Sequence, residues 1–193
     1  MKKALIPCLG LAMMMGLTPI ANAQDQEAKA SAPYTAMATI INNNKETLGN
    51  IKLRQAPKGV LVHVDLEGLK TGPHGFHIHQ TGTCADNSDF KNSGGHIGND
   101  TAMHGFMNED GYEPGDLPNL IVPESGSVEV EFFVADLKIG DGSGTDDPMT
   151  LLDDDGAAFM IHENPDDYMT QPIGGAGARI ACGAVEKTMT GDD

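Results

Sequence analysis

Apolar and polar residues alternate in short runs along most of this chain. Val60, Val62, Val64 and Leu66 stand against Leu61, His63 and Asp65, and SVEVEFFV at Ser127–Val134 repeats the pattern. A period of two sends successive side chains to opposite faces of an extended backbone, so these runs predict half-buried strands. Tyr34–Ile41 and Thr47–Arg54 alternate more modestly, while Ala157–His162 and Arg179–Val185 are more evenly apolar. His74–Gln80 completes the set. Asparagine, glycine and proline separate the runs, and none carries the period of a long helix. Short strands between turn signals predict an antiparallel sandwich or barrel.

Two stretches break the pattern. Asp136–Asp155 is an acidic connection, and Thr81–Leu117 is a much longer irregular one. A loop of about 35 residues inside a compact domain is rare unless it has a function of its own. This one holds Cys84, His96, His104 and Asp116.

The first 23 residues read differently from the rest. Lys2 and Lys3 precede an apolar run to about Leu17, and Ala21-Asn22-Ala23 is a small-residue cleavage site, the pattern of a secretory signal peptide. Pro7, Gly10, Gly16 and Pro19 interrupt that run, which is too short to span a bilayer. Residues 24–33 are expected to be disordered, residues 34–186 to form one domain, and the acidic end at 187–193 to be a disordered tail. The expected product is exported and periplasmic.

Charge narrows the function classes. The chain carries a formal net charge of −16, and loss of Lys2 and Lys3 makes it more negative. Such a surface repels nucleic acid and anionic lipid, so neither is an expected partner. Of the three cysteines, Cys8 leaves with the signal. Cys84 and Cys182 remain in an oxidising compartment and are expected to pair.

Six of the seven histidines form a spaced series: His74, His77 and His79 in HGFHIH, then His96, His104 and His162. On a strand, His77 and His79 leave the same face. An isolated histidine is usually a surface or core residue. A same-face pair with further histidines on a loop and a second strand points instead to a metal that favours imidazole. Other motifs carry less. DGSGTDD at 141–147 has Leu152 where a calcium loop needs its closing glutamate, and GGAGAR precedes a strand and lacks the Lys-Ser/Thr of a phosphate loop. Met103 and Met107 beside His104, and Met160 and Met169 near His162, read as packing.

Five blocks in order carry a resemblance: HGFHIHQ at 74–80, GGH at 94–96, GDLPNL at 115–120, MIHENPD at 160–166 and GGAGARIACGAV at 174–185. Together they resemble the copper/zinc superoxide dismutase family, in its bacterial exported type, from about Tyr34 to Val185. The resemblance implies an all-β, eight-stranded Greek-key β-barrel. It implies copper held by His77, His79, His96 and His162, with His96 bridging to zinc. The zinc side takes His104 and Asp116 as well. His74 would support the loops, Asp166 would orient rings on both metals, and Arg179 would attract superoxide beside the copper. The disulfide Cys84–Cys182 would tie the long loop to the strand carrying Arg179. The implied reaction is dismutation of superoxide by a copper alternating between two oxidation states.

The chain departs from the family at two places. Glu113 stands where the family has a histidine, three residues before the zinc aspartate. A carboxylate oxygen is an ordinary zinc ligand, and Pro114 favours an extended Glu113, so the expected set is His96, His104, Glu113 and Asp116. The alternative has Glu113 in solvent and zinc bound weakly or not at all. Between His162 and Arg179 there are Glu163, Asp166 and Asp167 but no lysine. Arg179 is therefore expected to stand nearly alone, giving a slower enzyme with weak salt dependence unless Lys91 or Lys138 folds close to the channel. A competing function is an exported copper-binding protein of the same fold that buffers metal and turns over little superoxide. Monomer and homodimer both fit the sequence.

Overall fold

The computed structural model describes residues 35–85, 89–98, 103–144, 147 and 149–188. The predicted signal peptide at 1–23, the segment 24–33 and the tail beyond 188 lie outside them.

Among the described residues nine strands form where the alternation predicts them, with one addition and one division. They are β1 (Ala36–Asn42), β2 (Thr47–Ala56), β3 (Gly59–Leu66), β4 (Gly72–His74), β5 (Phe76–His79), β6 (Leu120–Val122), β7 (Val128–Ala135), β8 (Ala158–His162) and β9 (Arg179–Lys187). Seven of them form one curled antiparallel sheet in the order β5-β8-β9-β1-β2-β3-β7, and β4 pairs with β6. Sequence-distant strands lie side by side at β5-β8, β9-β1 and β3-β7, the crossovers of the expected Greek-key barrel. β9 continues to Lys187, which pairs with Ala36, so the first residue of the predicted tail is still strand.

Register explains the core. Val60, Val62, Val64 and Leu66 of β3 stand opposite Val134, Phe132, Val130 and Val128 of β7, and all four β3 side chains are buried. The intervening Leu61, His63 and Asp65 face outward opposite Phe133, Glu131 and Glu129. β-branched residues suit such a pleated, half-buried surface. Phe76 anchors the interior, with ring centroids 5.7 Å from Phe159 and 5.8 Å from Phe132. His63 sits at an outward strand position and is half-buried, 3.7 Å from Glu129.

The single strand expected at His74–Gln80 is divided at Gly75. A Cβ there would lie 2.7 Å from the Ala176 methyl, so only glycine lets the loop before β9 come this close. Gly75 N–H donates to Asn164 O and Gly75 O accepts from His162 N–H, each at 2.8 Å. β6 has only three residues and leaves no readable period. Its existence is decided by β4, against which Leu120 and Val122 bury.

The long irregular stretch also has structure. Ile78 N–H donates to Gly115 O, Ile97 N–H donates to Ile78 O, and Gln80 N–H donates to Gly95 O, at 2.8–2.9 Å. These bonds cover the outer edge of β5, which would otherwise be an open sheet edge. They also bring His96 opposite His79 and Asp116 opposite His77. The same contacts that cover this edge therefore position the site.

Candidate metal centre

β5 supplies His77 and His79, β8 ends in His162, and the loop docked on β5 brings His96, His104 and Asp116. All are buried. The rings crowd together: His77 lies 4.1 Å from His96 and 4.9 Å from His162 between centroids, and His79 lies 5.2 Å from His96. Two sets of ligand atoms lie within 4.8 Å of one another, His77-His79-His162 and His77-His96-His104-Asp116.

Each ring has one nitrogen committed to a fixed acceptor. His77 Nε2–H donates to Asp166 Oδ2 (2.8 Å), His79 Nδ1–H to Gly94 O (2.9 Å) and His162 Nδ1–H to Gly177 O (3.2 Å). His96 Nδ1 faces Glu113 Oε2 at 2.9 Å and Asp116 Oδ1 at 3.0 Å. The other nitrogens, His77 Nδ1, His79 Nε2, His96 Nε2 and His162 Nε2, are buried with no hydrogen-bond partner. An unsatisfied buried polar atom costs about 1–3 kcal/mol, and native proteins rarely leave one. Four in one cluster, all lone-pair donors of the same kind, fit a metal ion that accepts imidazole nitrogen.

Electrostatics keep three of these rings, His77, His79 and His162, neutral. Burial lowers the pKa of His77; burial, with His96 and Arg179 nearby, holds that of His79 well below its ordinary value. For His162, burial and the neighbouring His77 push it down to about 3. Their lone pairs are therefore available at neutral pH.

The second half of the site is rich in carboxylates. His104 Nδ1 lies 2.7 Å from Asp116 Oδ1, and Asp116 Oδ2 is held by the Gly105 and Glu113 N–H groups at 2.8 and 3.0 Å. Glu113 points inward, with Oε2 also 3.9 Å from His104 Nδ1 and its side chain 22% exposed. It stands at the edge of the tight set, outside the mutual 4.8 Å group. Burial opposes charge on His104, but hydrogen bonds to Asp116 and Asp166 overcome it and raise its pKa to about 10. His96 shifts the same way: burial opposes its charge, while Asp116 and Glu113 favour it more strongly. The carboxyls of Asp116 and Asp166 are raised by burial but drawn well below the usual range by His104.

Asp166 joins the two halves. One oxygen accepts from His77 Nε2 and the other from His104 Nε2, at 2.8 and 3.1 Å. His74 contacts backbone alone, His162 O at 2.7 Å and Lys70 O at 2.8 Å, and so braces the two loop ends.

Arg179 is fixed by three acceptors, Phe90 O (2.8 Å), Ser93 Oγ (3.1 Å) and Gly94 O (2.7 Å). These come from the 3-10 turn Lys91–Ser93 and its flanks. Arg179 lines an open cavity of about 610 Å³ with Asn43, Asp89, Lys91, Glu163 and Gly177. The expectation that Arg179 stands nearly alone therefore needs correction. Lys91 shares its cavity, brought there by the turn that grips the guanidinium, although Asp89 pairs with Lys91 at 2.7 Å. Cys84 and Cys182 are joined, with Cα atoms 5.7 Å apart.

With this geometry in view, likeness to known proteins identifies the class. The family model for copper/zinc superoxide dismutase matches residues 47–185. The chain is 38% identical over 153 residues to a Cu-Zn superoxide dismutase of Caulobacter vibrioides, covering 79% of this chain and 86% of that one. It is also 38% identical over 148 residues to a superoxide dismutase-like protein, YojM, of Bacillus subtilis, covering 76% and 73%. Among solved structures, a SOD-like protein from Bacillus subtilis superposes with TM-score 0.72 at 36% identity, over 79% of this chain and 99% of that one. The Cu/Zn superoxide dismutase of Brucella abortus gives 0.59 at 27%, over 78% and 99%. The chain belongs to the copper/zinc superoxide dismutase family and is an oxidoreductase of that family. No helix among the described residues is long and apolar enough to cross a membrane.

Proposed function

We propose that this protein dismutes superoxide, with His77, His79, His96 and His162 as the residues that would hold one copper, and His96, His104, Glu113 and Asp116 as those that would hold one zinc. The observation that carries the reading is the cluster of four buried, partnerless imidazole nitrogens. Bound copper would supply one-electron exchange, so that two superoxide ions and two protons become one dioxygen and one hydrogen peroxide, while zinc would hold the His96 side in place.

The protein's own groups do the rest. Arg179 presents a permanently charged, planar donor at the cavity and orients a small anion. The contacts from Phe90, Ser93 and Gly94 keep it from swinging into solvent. His96 has Nδ1 committed to carboxylates, so Nε2 is the atom at which that ring can take up and return a proton. Asp166 fixes the tautomers of His77 and His104 by accepting from both Nε2 atoms.

Superoxide turnover per bound copper tests the reading. Fast turnover on protein analysed for copper and zinc is the expected outcome. Stoichiometric copper with activity no greater than free metal would establish the competing role, a copper-buffering protein. The Cys84–Cys182 bond supports export, because such bonds persist in oxidising compartments. Cleavage near Ala23 and a periplasmic product belong to the same proposal.

Glu113 is open to a direct titration. Glu113→Ala is expected to weaken zinc binding to the metal-free protein by at least about ten-fold, the loss typical of removing even an outer partner of a metal site. Unchanged zinc affinity would take Glu113 out of the ligand set.

The cavity mouth sets the salt dependence. Lys91 and Arg179 are balanced there by Asp89 and Glu163, so a nearly flat response to ionic strength is expected. Asp89→Asn releases Lys91 from its pair. The variant is expected to be faster at low salt and to lose that gain at high salt, as a salt series of kcat/KM would record. A variant no faster at low salt would show that Lys91 does not steer.

A further inference from the structure

Two side-chain amides lace the loop carrying His104 to the loop carrying Asp166. Asn119 accepts from Asp166 N–H at 2.8 Å and donates to Asp166 O at 2.9 Å. Gln171 does the same in the opposite direction. Its Oε1 accepts from His104 N–H at 3.1 Å and its Nε2 donates to His104 O at 2.8 Å, with a further contact to Met169 O at 3.0 Å. The hydrogen bond between His104 Nε2 and Asp166 Oδ1 is thus gripped at each end, through the backbone, by an amide from the opposite loop.

The loops approach closely enough for this to matter. A Cβ on Gly105, whose φ is +107°, would lie 2.1 Å from Tyr168 O. Met107 N–H donates to the same carbonyl at 3.1 Å. Gln171 is exposed. Two of its three bonds act on His104, and that residue presents a ring nitrogen to Asp116 at 2.7 Å.

We propose that Gln171 is a positioning residue for His104. By fixing the His104 backbone against the 163–178 loop, it sets how long a divalent ion stays on the His104 side. The proposal rests on the zinc reading above. A ring whose backbone is free to shift must be ordered each time the ion binds, and the ion leaves more readily when that order is lost.

The test uses cobalt(II) in place of zinc on the full mature protein. Gln171→Met keeps the length of the side chain and removes both the donor and the acceptor. Cobalt release to a chelator is expected to be about ten-fold faster, with a shifted visible band. Gln171→Glu keeps the acceptor but sets a carboxylate against His104 O, and is expected not to restore the parent rate. The metal-free Gln171→Met protein is expected to unfold at the parent temperature. An unchanged release rate and band in Gln171→Met would overturn the proposal, as would faster release that only follows a lowered unfolding temperature. His104→Ala separates the two readings. If it abolishes cobalt binding while Gln171→Met changes nothing, the role of Gln171 alone falls; if His104→Ala binds cobalt as before, the zinc reading falls with it.

Discussion

Replacing His162 by alanine is expected to reduce superoxide turnover at least about a hundred-fold, the upper end of what even a partner outside the ligand set costs, while zinc stays bound. His162 ends β8 with its Nδ1 committed to Gly177 O, so Nε2 is its one nitrogen left for a metal. The substitution removes that nitrogen and leaves His77, His79 and His96. Its effect on the barrel is confined, because the main chain keeps its own anchors. His162 N–H still donates to Gly75 O, and His162 O still accepts from His74. His104, Glu113 and Asp116 lie on the far side of His96 and keep their contacts. Activity, copper content and zinc content measured on the same sample check this, with His63→Ala as the control. Parent-level turnover in His162→Ala would remove the four-histidine reading.

That control is informative because sequence and structure agree on why His63 differs from the rest. It sits at an outward position of a strand whose alternate residues are all buried, opposite Glu131 and near Glu129. The pattern of β3 and β7 placed it there without any structure. Pattern of the same kind located six of the predicted strands and the same-face pair His77 and His79. The missing parts depend on contacts distant in sequence. Gly75 divides a strand because Ala176, a hundred residues on, packs against it. Leu120–Val122 is a strand because β4 is its neighbour.

The site follows the same rule. Its candidate histidines were legible, since the same-face pair His77 and His79 with His96, His104 and His162 further on points to metal chemistry through spacing, while their division between two metals came from the resemblance. Its support was not. Gln171 and Asn119 are amides in turn-rich sequence, with nothing local to mark them as clasps on His104 and Asp166. Lys91 reached the Arg179 cavity through a 3-10 turn that no periodicity announces. Resemblance supplied the role expected of Arg179, and the structure adds which carbonyls and hydroxyl hold it.

Removal of the disulfide is expected to lower stability by about 4–5 kcal/mol, from the entropy returned to an unfolded chain no longer closed over so long a loop. The bridge joins residues 98 apart in sequence. For a chain of this size such a loss corresponds to a fall of roughly 10–20 °C in unfolding temperature. The double variant Cys84→Ala/Cys182→Ala and the reduced parent should agree, because each removes the same constraint. A change below about 1 kcal/mol would mean that the unfolded chain is already restricted in this region. The functional effect is expected to be separable from the loss of stability. Cys182 lies on β9, between Met160 of β8 and Ile41 of β1, so its strand stays paired. Cys84 lies on the segment that leads to Phe90, Ser93 and Gly94, which hold Arg179, and Gly94 O and Ser93 Oγ also bound His79. With the bridge gone, that segment keeps the contacts of Arg179, those of Lys45 with Cys84 O and the Phe90 ring, the Thr81 N–H bond to Ser93 O and the burial of Phe90. Below its unfolding temperature, the variant should therefore keep its copper and lose part of its turnover, because the arginine and its acceptors drift together. Equal loss of copper and activity would place the damage at His79 instead.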